Sequence, residues 1–571
     1  MPQTTLNTLR GVAAAGGASR MATRQLRAPV SRAFSSSARN QSVRLAARAL
    51  RKPSALSSAL RTQAVAKLPA RPYSSEAPKS KRPGAIRLTF RWIWRLTYLS
   101  VLGYVAYVGY AVYEDKHPPA QSPPDPTKKT LVILGTGWGS VSLLKKLDTA
   151  NYNVIHRSIM EPIRTILHQK PTGVTYYEAE ATEIDSERKV VKMRDESEVK
   201  GAVTETEVPY DMLVVGVGAE NATFGIPGVR EHSSFLKEIG DAQAIRKKIM
   251  DCVETAAFKD QDPEEINRLL HMVVVGGGPT GVEFAGELQD FFEEDIKKLI
   301  PDFKHRFKVT LIEALPNVLP SFSKTLIDYT QEKFKEQTID VLTQTMVKNV
   351  EEKQLTAVIT RPGGVKETLV IPYGLLVWAT GNAIRPIIRD LISKVPAQAK
   401  STRGLAVNEY LVVQGTRDIW AVGDCAVAGY APTAQVASQE GAFLARLFNN
   451  MAMTEHLQAH IAGLSASLNL QPGGDSAKIA QEIEKSEKQL RRIKDVKPFH
   501  YSHQGSLAYI GSDRAVADVT WWNANVATGG KMTYFFWRSA YLSMCFSYRN
   551  RLLVANDWIK SIVFGRDVSR E

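Results

Sequence analysis

Two similar apolar runs, each ending in a glycine-rich turn, occur in the chain. They are "TLVILGTGWGS" (130–140) and "HMVVVGGGPTGVEFAGELQDFF" (271–292), and both continue into helical spacing of apolar residues. A short, unbroken apolar run followed by a glycine turn indicates a strand buried on both faces of a parallel sheet. The pattern therefore predicts two α/β units built around parallel strands.

The glycine positions suggest what these units bind. Gly135 permits a tight turn, Gly137 lets the backbone approach a pyrophosphate, and Gly139 opens a helix whose N-terminus faces that anion. Gly276, Gly278 and Gly281 repeat the arrangement in the second unit. One such turn also occurs in plain loops, but two in one chain predict two Rossmann-like dinucleotide-binding domains.

An acidic residue ends the second strand of the later unit. "FKVTLIEA" (307–314) places Glu313 where a carboxylate accepts bonds from a ribose 2′-hydroxyl and repels a 2′-phosphate, which favours NADH over NADPH. The alternative is an acidic residue that merely caps a strand, and the long spacing from Gly281 keeps that alternative open.

Three later runs predict strands near the points where the chain would return to the first unit. They are "YDMLVVGVGAE" (210–220), "YGLLVWATGNAIRP" (373–386) and "RDIWAVGDCA" (417–426), and each ends in small residues that let backbone lie close to a cofactor. Gly423 and Asp424 follow the last run, where a carboxylate can hold the ribityl hydroxyls of a flavin. Two dinucleotide units then suggest a fixed flavin and a visiting nicotinamide.

The second strand of the first unit looks cut short. It begins at Asn153, but "NV" is followed directly by the helix-like "IHRSIMEPIR". We expect a truncated strand near 154–157, unpaired ladder groups on its neighbour, and loss of the acidic ribose contact. Glu161 lies at the right distance in sequence, but we do not accept it as a replacement because it falls in a helical pattern.

Charge is concentrated at the N-terminus. The net charge is +15, yet the first 75 residues hold 13 Arg or Lys and no acid, and the rest of the chain is nearly balanced, with 60 basic and 58 acidic residues. An acid-free leader rich in Arg, Ser and Ala is typical of a mitochondrial presequence, with a disordered basic tail as the alternative. Nothing indicates nucleic-acid binding, and the three separated cysteines form no metal or redox pair.

An uncharged stretch follows the leader. "LTYLSVLGYVAYVGYAVY" (96–113) is long enough to cross a bilayer, with a peripheral or re-entrant segment as the alternative. Six basic residues precede it and "EDK" follows it, so the positive-inside rule keeps the N-terminal side in the matrix and places the rest in the intermembrane space. A Pro-rich spacer (117–129) then leads to the first unit.

We expect six segments: 1–75 presequence, 76–126 membrane segment and Pro-rich linker, 127–240 first part of the first dinucleotide-binding domain, 241–384 second dinucleotide-binding domain, 385–450 second part of the first domain, and 451–571 C-terminal membrane-associated region.

Eight motifs in order resemble those of type II NADH dehydrogenases, the single-subunit, non-proton-pumping NADH:ubiquinone oxidoreductases of mitochondria. The resemblance covers residues 129–571, and its leader and membrane segment resemble the fungal external form. The motifs are "GTGWGS", "TFGIPGV" (223–229), "VVGGGPTGVEFAGEL", "WATGN", "WAVGDCA", "PTAQVASQEG" (432–441), "HQGSLAYIG" (503–511) and "FWRSAYLS" (536–543).

The resemblance implies FAD in the first unit, NADH in the second and ubiquinone on the far side of the flavin. The flavin carries the chemistry, so no catalytic side chain and no metal are implied. The positions that match are Gly135, Gly137, Trp138, Gly139, Gly423 and Asp424 for FAD, Gly276, Gly278, Pro279, Thr280, Gly281, Glu283, Glu313 and Asn382 for NADH, and Gln435, Gln439, Arg538 and Tyr541 for the quinone.

Several alternatives stay open. Gln435 and Gln439 share a helical face, where capping or solvent exposure also explains glutamines. For Glu440 we expect a solvated side chain, with assistance in proton delivery as the alternative. The aromatic and basic stretch 531–566 suits interfacial helices that contact lipid and a second copy, or else core helices. The charged helical insertion 453–495 lacks calcium-loop spacing.

Two other functions fit the same fold. One is a reductase of a soluble acceptor, and the other is a flavin-deficient NAD(H)-binding membrane protein.

Overall fold

The computed structural model describes residues 85–117, 120–157, 166–167, 170–197, 199–470, 476–521, 524–545, 548–566 and 568. The chain divides into two units, 1–87 and 88–571, and of the first only the three residues that begin helix α1 are described. The expected presequence therefore lies outside the described residues. All further elements lie within residues 88–571.

Helix α1 spans Ala85–Lys116 and contains the expected membrane segment. Within it, Trp94–Glu114 has a mean hydropathy of 1.3 and none of it is buried. Among the described residues this is the one helix long and apolar enough to cross a membrane. The length and composition of this helix support the membrane interpretation.

A five-stranded parallel sheet forms the first dinucleotide unit. From edge to edge its strands are Ile419–Ala421 (β19), Met212–Val215 (β7), Thr130–Leu134 (β1), Asn153–Arg157 (β2) and Thr175–Tyr177 (β3), so strands from distant parts of the chain lie side by side. The elements up to the crossover are β1 Thr130–Leu134, α2 Trp138–Lys146, β2 Asn153–Arg157, β3 Thr175–Tyr177, β4 Glu180–Asp185, β5 Val190–Arg194, β6 Glu205–Pro209, β7 Met212–Val215, β8 Ala219–Asn221 and α3 Val229–His232. Strands β4 to β6 form a separate antiparallel sheet.

The strand expected to be truncated is paired along its described length. All five residues of β2 are in register with β1, from Thr130 opposite Asn153 to Leu134 opposite Arg157, and β3 covers its other edge. The expectation of unpaired ladder groups on β1 is therefore wrong, because "NVIHR" supplies five paired residues. The "SIMEPIR" segment that follows, including Glu161, falls in 158–165, outside the described residues.

The second dinucleotide unit repeats this architecture. Its parallel sheet has the order β12-β11-β10-β16-β9, and an antiparallel sheet β13-β14-β15 lies beside it. Its elements are β9 Ser234–Phe235, α4 Ile239–Ala256, α5 Pro263–Leu269, β10 His271–Val275, α6 Pro279–Phe291, β11 Lys308–Ile312, α7 Lys324–Glu336, β12 Ile339–Leu342, β13 Thr345–Val350, β14 Gln354–Thr360, β15 Lys366–Pro372, β16 Leu375–Trp378 and β17 Asn382–Ile384. Strand β17 pairs with β8 where the chain returns to the first unit.

The remaining elements complete the first unit and add a C-terminal part. They are α8 Pro386–Lys394, β18 Leu405–Ala406, β19 Ile419–Ala421, β20 Ala426–Val427, α9 Ala434–Leu470, α10 Ser476–Lys494, β21 Ser506–Tyr509, β22 Ala515–Trp521, β23 Ala524–Gly530, α11 Lys531–Met544 and α12 Tyr548–Phe564. Helix α9 runs through the boundary expected at 450/451, so the charged insertion extends a helix of the first unit. The C-terminal part is also not wholly helical, because β21 to β23 form an antiparallel sheet.

Candidate functional site

The first glycine turn joins β1 to α2 as the sequence predicts. Gly135 has φ +93°, and a Cβ there would lie 2.2 Å from the carbonyl oxygen of Gly216 at the end of β7, so a larger residue does not fit. Gly137 is the N-cap of α2, and the nearest atom to a Cβ placed there is 4.0 Å away. Trp138 and Gly139 form the first turn of the helix. The turn thus leaves room for a ligand at a helix N-terminus.

Asp424 lies at the carboxyl end of the same sheet. It sits in a short 3₁₀ turn, Gly423–Cys425, that follows β19, and its side chain is 26% exposed. Since β19 and β1 belong to one parallel sheet, the Asp424 turn and the Gly135 turn open onto the same edge. The structure therefore brings both predicted flavin-binding segments together.

Glu440 fixes the Asp424 turn from within the protein. Its side chain is 1% exposed, and one carboxylate oxygen accepts the backbone N–H of Gly423 at 2.6 Å. Burial raises the pKa of Glu440 to about 7; the Gly423 bond opposes that rise and the charge of Asp424 adds to it. The expectation of a solvated glutamate is wrong, because α9 places this residue against the turn rather than toward water.

The second glycine turn has the same construction. Gly276 has φ +120°, and a Cβ there would lie 2.6 Å from the carbonyl oxygen of Ala379. Helix α6 begins at Pro279 with Gly278 as its N-cap, and Thr280 and Gly281 continue its first turn. In the described part of the chain, nothing lies within 4 Å of a Cβ added at Gly278. A pyrophosphate can therefore approach the backbone here as at the first turn.

Glu313 directly follows β11 and is held by backbone donors. The N–H groups of Gly277 and Leu315 donate to its carboxylate at 2.5 and 2.7 Å. A negative charge is thus fixed at the rim of the second turn, as the sequence predicts.

Glu283 connects the predicted nicotinamide side to the C-terminal part. Its carboxylate accepts the backbone N–H of Tyr509 at 3.1 Å, the indole N–H of Trp537 at 3.0 Å and the hydroxyl of Tyr541 at 3.5 Å. Burial raises the pKa of Glu283, while these three donors lower it. The sequence assigns Glu283 to the NADH side and Tyr541 to the quinone side, and the structure brings these two side chains into contact.

The two glutamines of α9 bind one loop. Gln435 donates to the carbonyl oxygen of Gly505 at 2.9 Å and accepts from the Tyr501 hydroxyl at 3.1 Å. Gln439 exchanges two bonds with the backbone of Ser502, at 2.8 and 2.9 Å. Neither helix capping nor simple solvent exposure, the two alternatives from sequence, describes these side chains.

Arg538 anchors the two C-terminal helices to each other. Its guanidinium lies 4.6 Å from the ring centre of Tyr534 on α11 and 4.8 Å from that of Trp558 on α12. Tyr541, one turn further along α11, remains 42% exposed. Of these residues, Tyr541 reaches α6, where its hydroxyl donates to Glu283 at 3.5 Å.

Comparison with known proteins places this architecture. Residues 129–441 match the family model described as pyridine nucleotide-disulphide oxidoreductase, and residues 503–567 match the NDH2 C-terminal domain. The external alternative NADH-ubiquinone oxidoreductase of Yarrowia lipolytica mitochondria is 56% identical over 530 residues, covering 87% of this chain and 91% of that protein. The chain belongs to the type II NADH-ubiquinone oxidoreductase family.

Other members of the family show the same similarity to this chain. The external NADH-ubiquinone oxidoreductase 2 of Saccharomyces cerevisiae mitochondria is 43% identical over 507 residues, covering 83% of this chain and 89% of that protein. Among solved structures, NDH2 of Plasmodium falciparum in complex with NADH superposes with a TM-score of 0.65 at 26% identity, covering 77% of this chain and all of that one.

The Yarrowia comparison also bears on the shortened segment. The alignment is 530 positions long, but it covers only 87% of the 571 residues of this chain, which is fewer than 530. The alignment therefore contains positions at which this chain has a gap and the Yarrowia protein has a residue. This agrees with residues missing inside the region of similarity.

Lys237 is a residue that the sequence analysis missed. Its ammonium donates to the side-chain oxygen of Asn382 at 2.7 Å and lies 3.5 Å from the carboxylate of Asp424. It therefore joins a predicted NADH-side residue to a predicted FAD-side residue of the family. No sequence pattern identifies it, because its partners lie more than a hundred residues away and are brought near by the fold.

Proposed function

We propose that this chain oxidises NADH and reduces ubiquinone at a membrane surface, with FAD as its resident cofactor and without pumping protons. The observation that carries the proposal is the combination of two dinucleotide turns with a C-terminal sheet and helix that bind Glu283 on α6. Membership of the family supports the same function, since relatives are named for this activity.

The residues around the first turn fit FAD. The open backbone at Gly137 suits a pyrophosphate, and Asp424 is placed to bind ribityl hydroxyls at the same sheet edge. FAD bound there would supply the redox chemistry, namely hydride acceptance and two-electron transfer. The protein orients this group: Glu440 holds the Gly423 N–H, and Asp424 presents a carboxylate.

Residues of the second turn would hold NADH. The N-terminus of α6 faces the pyrophosphate, and Glu313 discriminates against a 2′-phosphate by charge. Asn382 lies on the return crossover between the units, where the nicotinamide end of the substrate would meet the flavin side. Gln435, Gln439, Arg538 and Tyr541 belong to the C-terminal side, and we assign them to the ubiquinone site on the resemblance to the family.

The membrane interpretation rests on exposed apolar side chains. Met532 and Phe535 on α11 and Ile562 and Phe564 on α12 are exposed, Phe564 by 83%. Such side chains suit helices that lie in the headgroup plane, where ubiquinone enters. The same surface suits a homodimer contact, and light scattering of the detergent-solubilised protein would test it; a monomeric mass counts against the dimer.

We place the protein at the mitochondrial inner membrane, with its catalytic part in the intermembrane space. The relatives are named as mitochondrial, and the basic residues before α1 favour a matrix-facing N-terminus. Protease added to mitochondria with an opened outer membrane should degrade the catalytic part. Its survival until the inner membrane is broken would contradict this orientation.

Two observations favour a second candidate, a flavin-deficient NAD(H)-binding membrane protein. The chain has a gap relative to the Yarrowia protein, and its first unit lacks an acidic residue at the end of β2. A visible spectrum of residues 76–571 in mild detergent separates the two functions. Flavin bands that bleach with NADH and recover with a ubiquinone analogue support the oxidoreductase; a colourless protein that still binds NADH supports the alternative.

A further inference from the structure

Three segments of the chain meet at the ammonium group of Lys237. Lys237 lies between β9 and α4, where the chain enters the second unit. Asn382 begins β17, where the chain returns, and Asp424 lies in the turn after β19. The side chains of Lys237 and Asp424 are 25% and 26% exposed, so the ion pair is partly shielded from solvent.

The backbone of Lys237 is fixed independently of its side chain. The Asp241 carboxylate accepts the backbone N–H groups of Lys237 and Glu238 at 2.9 and 2.8 Å, which caps α4. The Glu238 carboxylate in turn accepts a bond from Arg385 on the return crossover at 3.0 Å. Loss of the ammonium would therefore leave the segment in place and remove only the contacts to Asn382 and Asp424.

Each partner of Lys237 is also anchored by other bonds. Asn382 is held in the pairing of β17 with β8, opposite Asn221. The turn of Asp424 is held by the bond from Gly423 to Glu440. The ammonium thus joins segments that are already ordered, which is the arrangement expected of a group that sets charge and side-chain orientation rather than one that folds a loop.

We propose that Lys237 is a positioning residue that orients Asn382 on the NADH side and offsets the charge of Asp424 on the FAD side. This inference rests on the proposed function. An ammonium is a compact charge with three donors, so it can hold an amide and a carboxylate at once. Without it, the Asn382 amide is free to turn away from NADH, and an uncompensated carboxylate remains beside the flavin.

The two effects have separate readouts. Lys237→Met, which keeps an unbranched stem without charge, should raise the Kd for NADH about tenfold, the scale of one charge-assisted hydrogen bond. It should also disfavour the more negative reduced flavin about tenfold, which for a two-electron couple lowers the midpoint potential by about 30 mV. Lys237→Arg keeps the charge and should recover most of both.

The experiment compares these variants of residues 76–571 with Lys324→Met, which removes an exposed lysine that forms an ion pair with Asp328 one turn along α7. NADH affinity is measured by the fluorescence of bound NADH, with protein of matched far-UV circular dichroism. The midpoint potential is measured on the same preparations.

An unchanged Kd in Lys237→Met, within about twofold of Lys324→Met, overturns the inference. A tenfold loss that Lys237→Arg restores supports it. If Lys237→Met does not fold, the inference is tested with Lys237→Arg and Asp424→Asn instead. The inference requires that Asp424→Asn raise the midpoint potential of the flavin, and an unchanged potential overturns the inference. If every preparation, including the unmodified chain, is colourless, the proposed oxidoreductase function fails, while NADH affinity still decides the role of Lys237.

Discussion

The packing of α9 against α2 makes a sharp prediction for two glycines of the same helix. A Cβ added at Gly441 would lie 1.9 Å from the carbonyl oxygen of Gly139 and 3.0 Å from the backbone nitrogen of Leu143. A Cβ at Gly463, further along α9, meets nothing within 4 Å in the described part of the chain. The two sites therefore share a helix but differ in the space beside them.

Gly441→Ala forces the two helices apart, because backbone atoms cannot yield as a flexible side chain does. Overpacking of this kind costs about 1–3 kcal/mol. Gly463→Ala instead gains the helix preference of alanine over glycine, about 0.5–1 kcal/mol. Since α2 begins at the first glycine turn and α9 carries Glu440, separation of the helices should also weaken flavin binding.

The assay is thermal unfolding of both variants in the same detergent, followed by tryptophan fluorescence, with the flavin content of each. We expect the Tm to fall for Gly441→Ala and to stay level or rise for Gly463→Ala. Equal shifts in the same direction would refute the close approach of α9 and α2.

Two further changes test the carboxylates of the site. Glu440 is protonated in the folded protein up to about pH 7 but ionises near 4.5 when unfolded, so it makes stability fall as pH rises between these values. Glu440→Gln should therefore lose less Tm between pH 5 and 8 than the unmodified chain or the exposed-site control Glu332→Gln; parallel profiles would contradict this. Glu313→Gln removes the charge held by Gly277 and Leu315, so the ratio of NADPH to NADH dissociation constants should fall about tenfold; an unchanged ratio would show that Glu313 only caps the strand.

Local patterns predicted the parts of the site that are themselves local. The turns at Gly135 and Gly276, the helices that open after them and the position of Glu313 after β11 depend on residues close in sequence, and the structure has each of them. Strand periodicity and glycine spacing carry this information because they follow from backbone geometry.

The parts that depend on distant contacts could not be predicted in this way. The burial of Glu440 requires α9 to lie against the turn after β19, and the bonds of Lys237 join segments more than a hundred residues apart. The sheet β21 to β23 was also missed, because its short strands carry small and polar residues in place of a long apolar run. Whether such a segment forms a strand depends on its pairing partners, and sequence periodicity does not identify those partners.

Strand β2 shows what local patterns can and cannot predict, and the residue after it bears on how tightly FAD binds. A truncated strand was expected here, but all five residues of "NVIHR" pair with β1 and three of them also pair with β3, so the sheet is continuous at this position. The registers of the two units then locate the ribose contact. In the second unit, Val275 is opposite Ile312 and the next residue is Glu313. In the first, Leu134 is opposite Arg157 and the next residue in the sequence is Ser158, which has no charge.

Among the described residues, the first turn keeps its pyrophosphate-binding backbone, and no carboxylate follows β2 as Glu313 follows β11. A carboxylate bonded to ribose hydroxyls is a charge-assisted contact, and such bonds contribute about 1.5–3 kcal/mol. Loss of one would weaken FAD binding about tenfold to a hundredfold and leave the fold and the NADH turn unaffected. Retention of flavin is thus the property of this chain that its sequence puts most at risk.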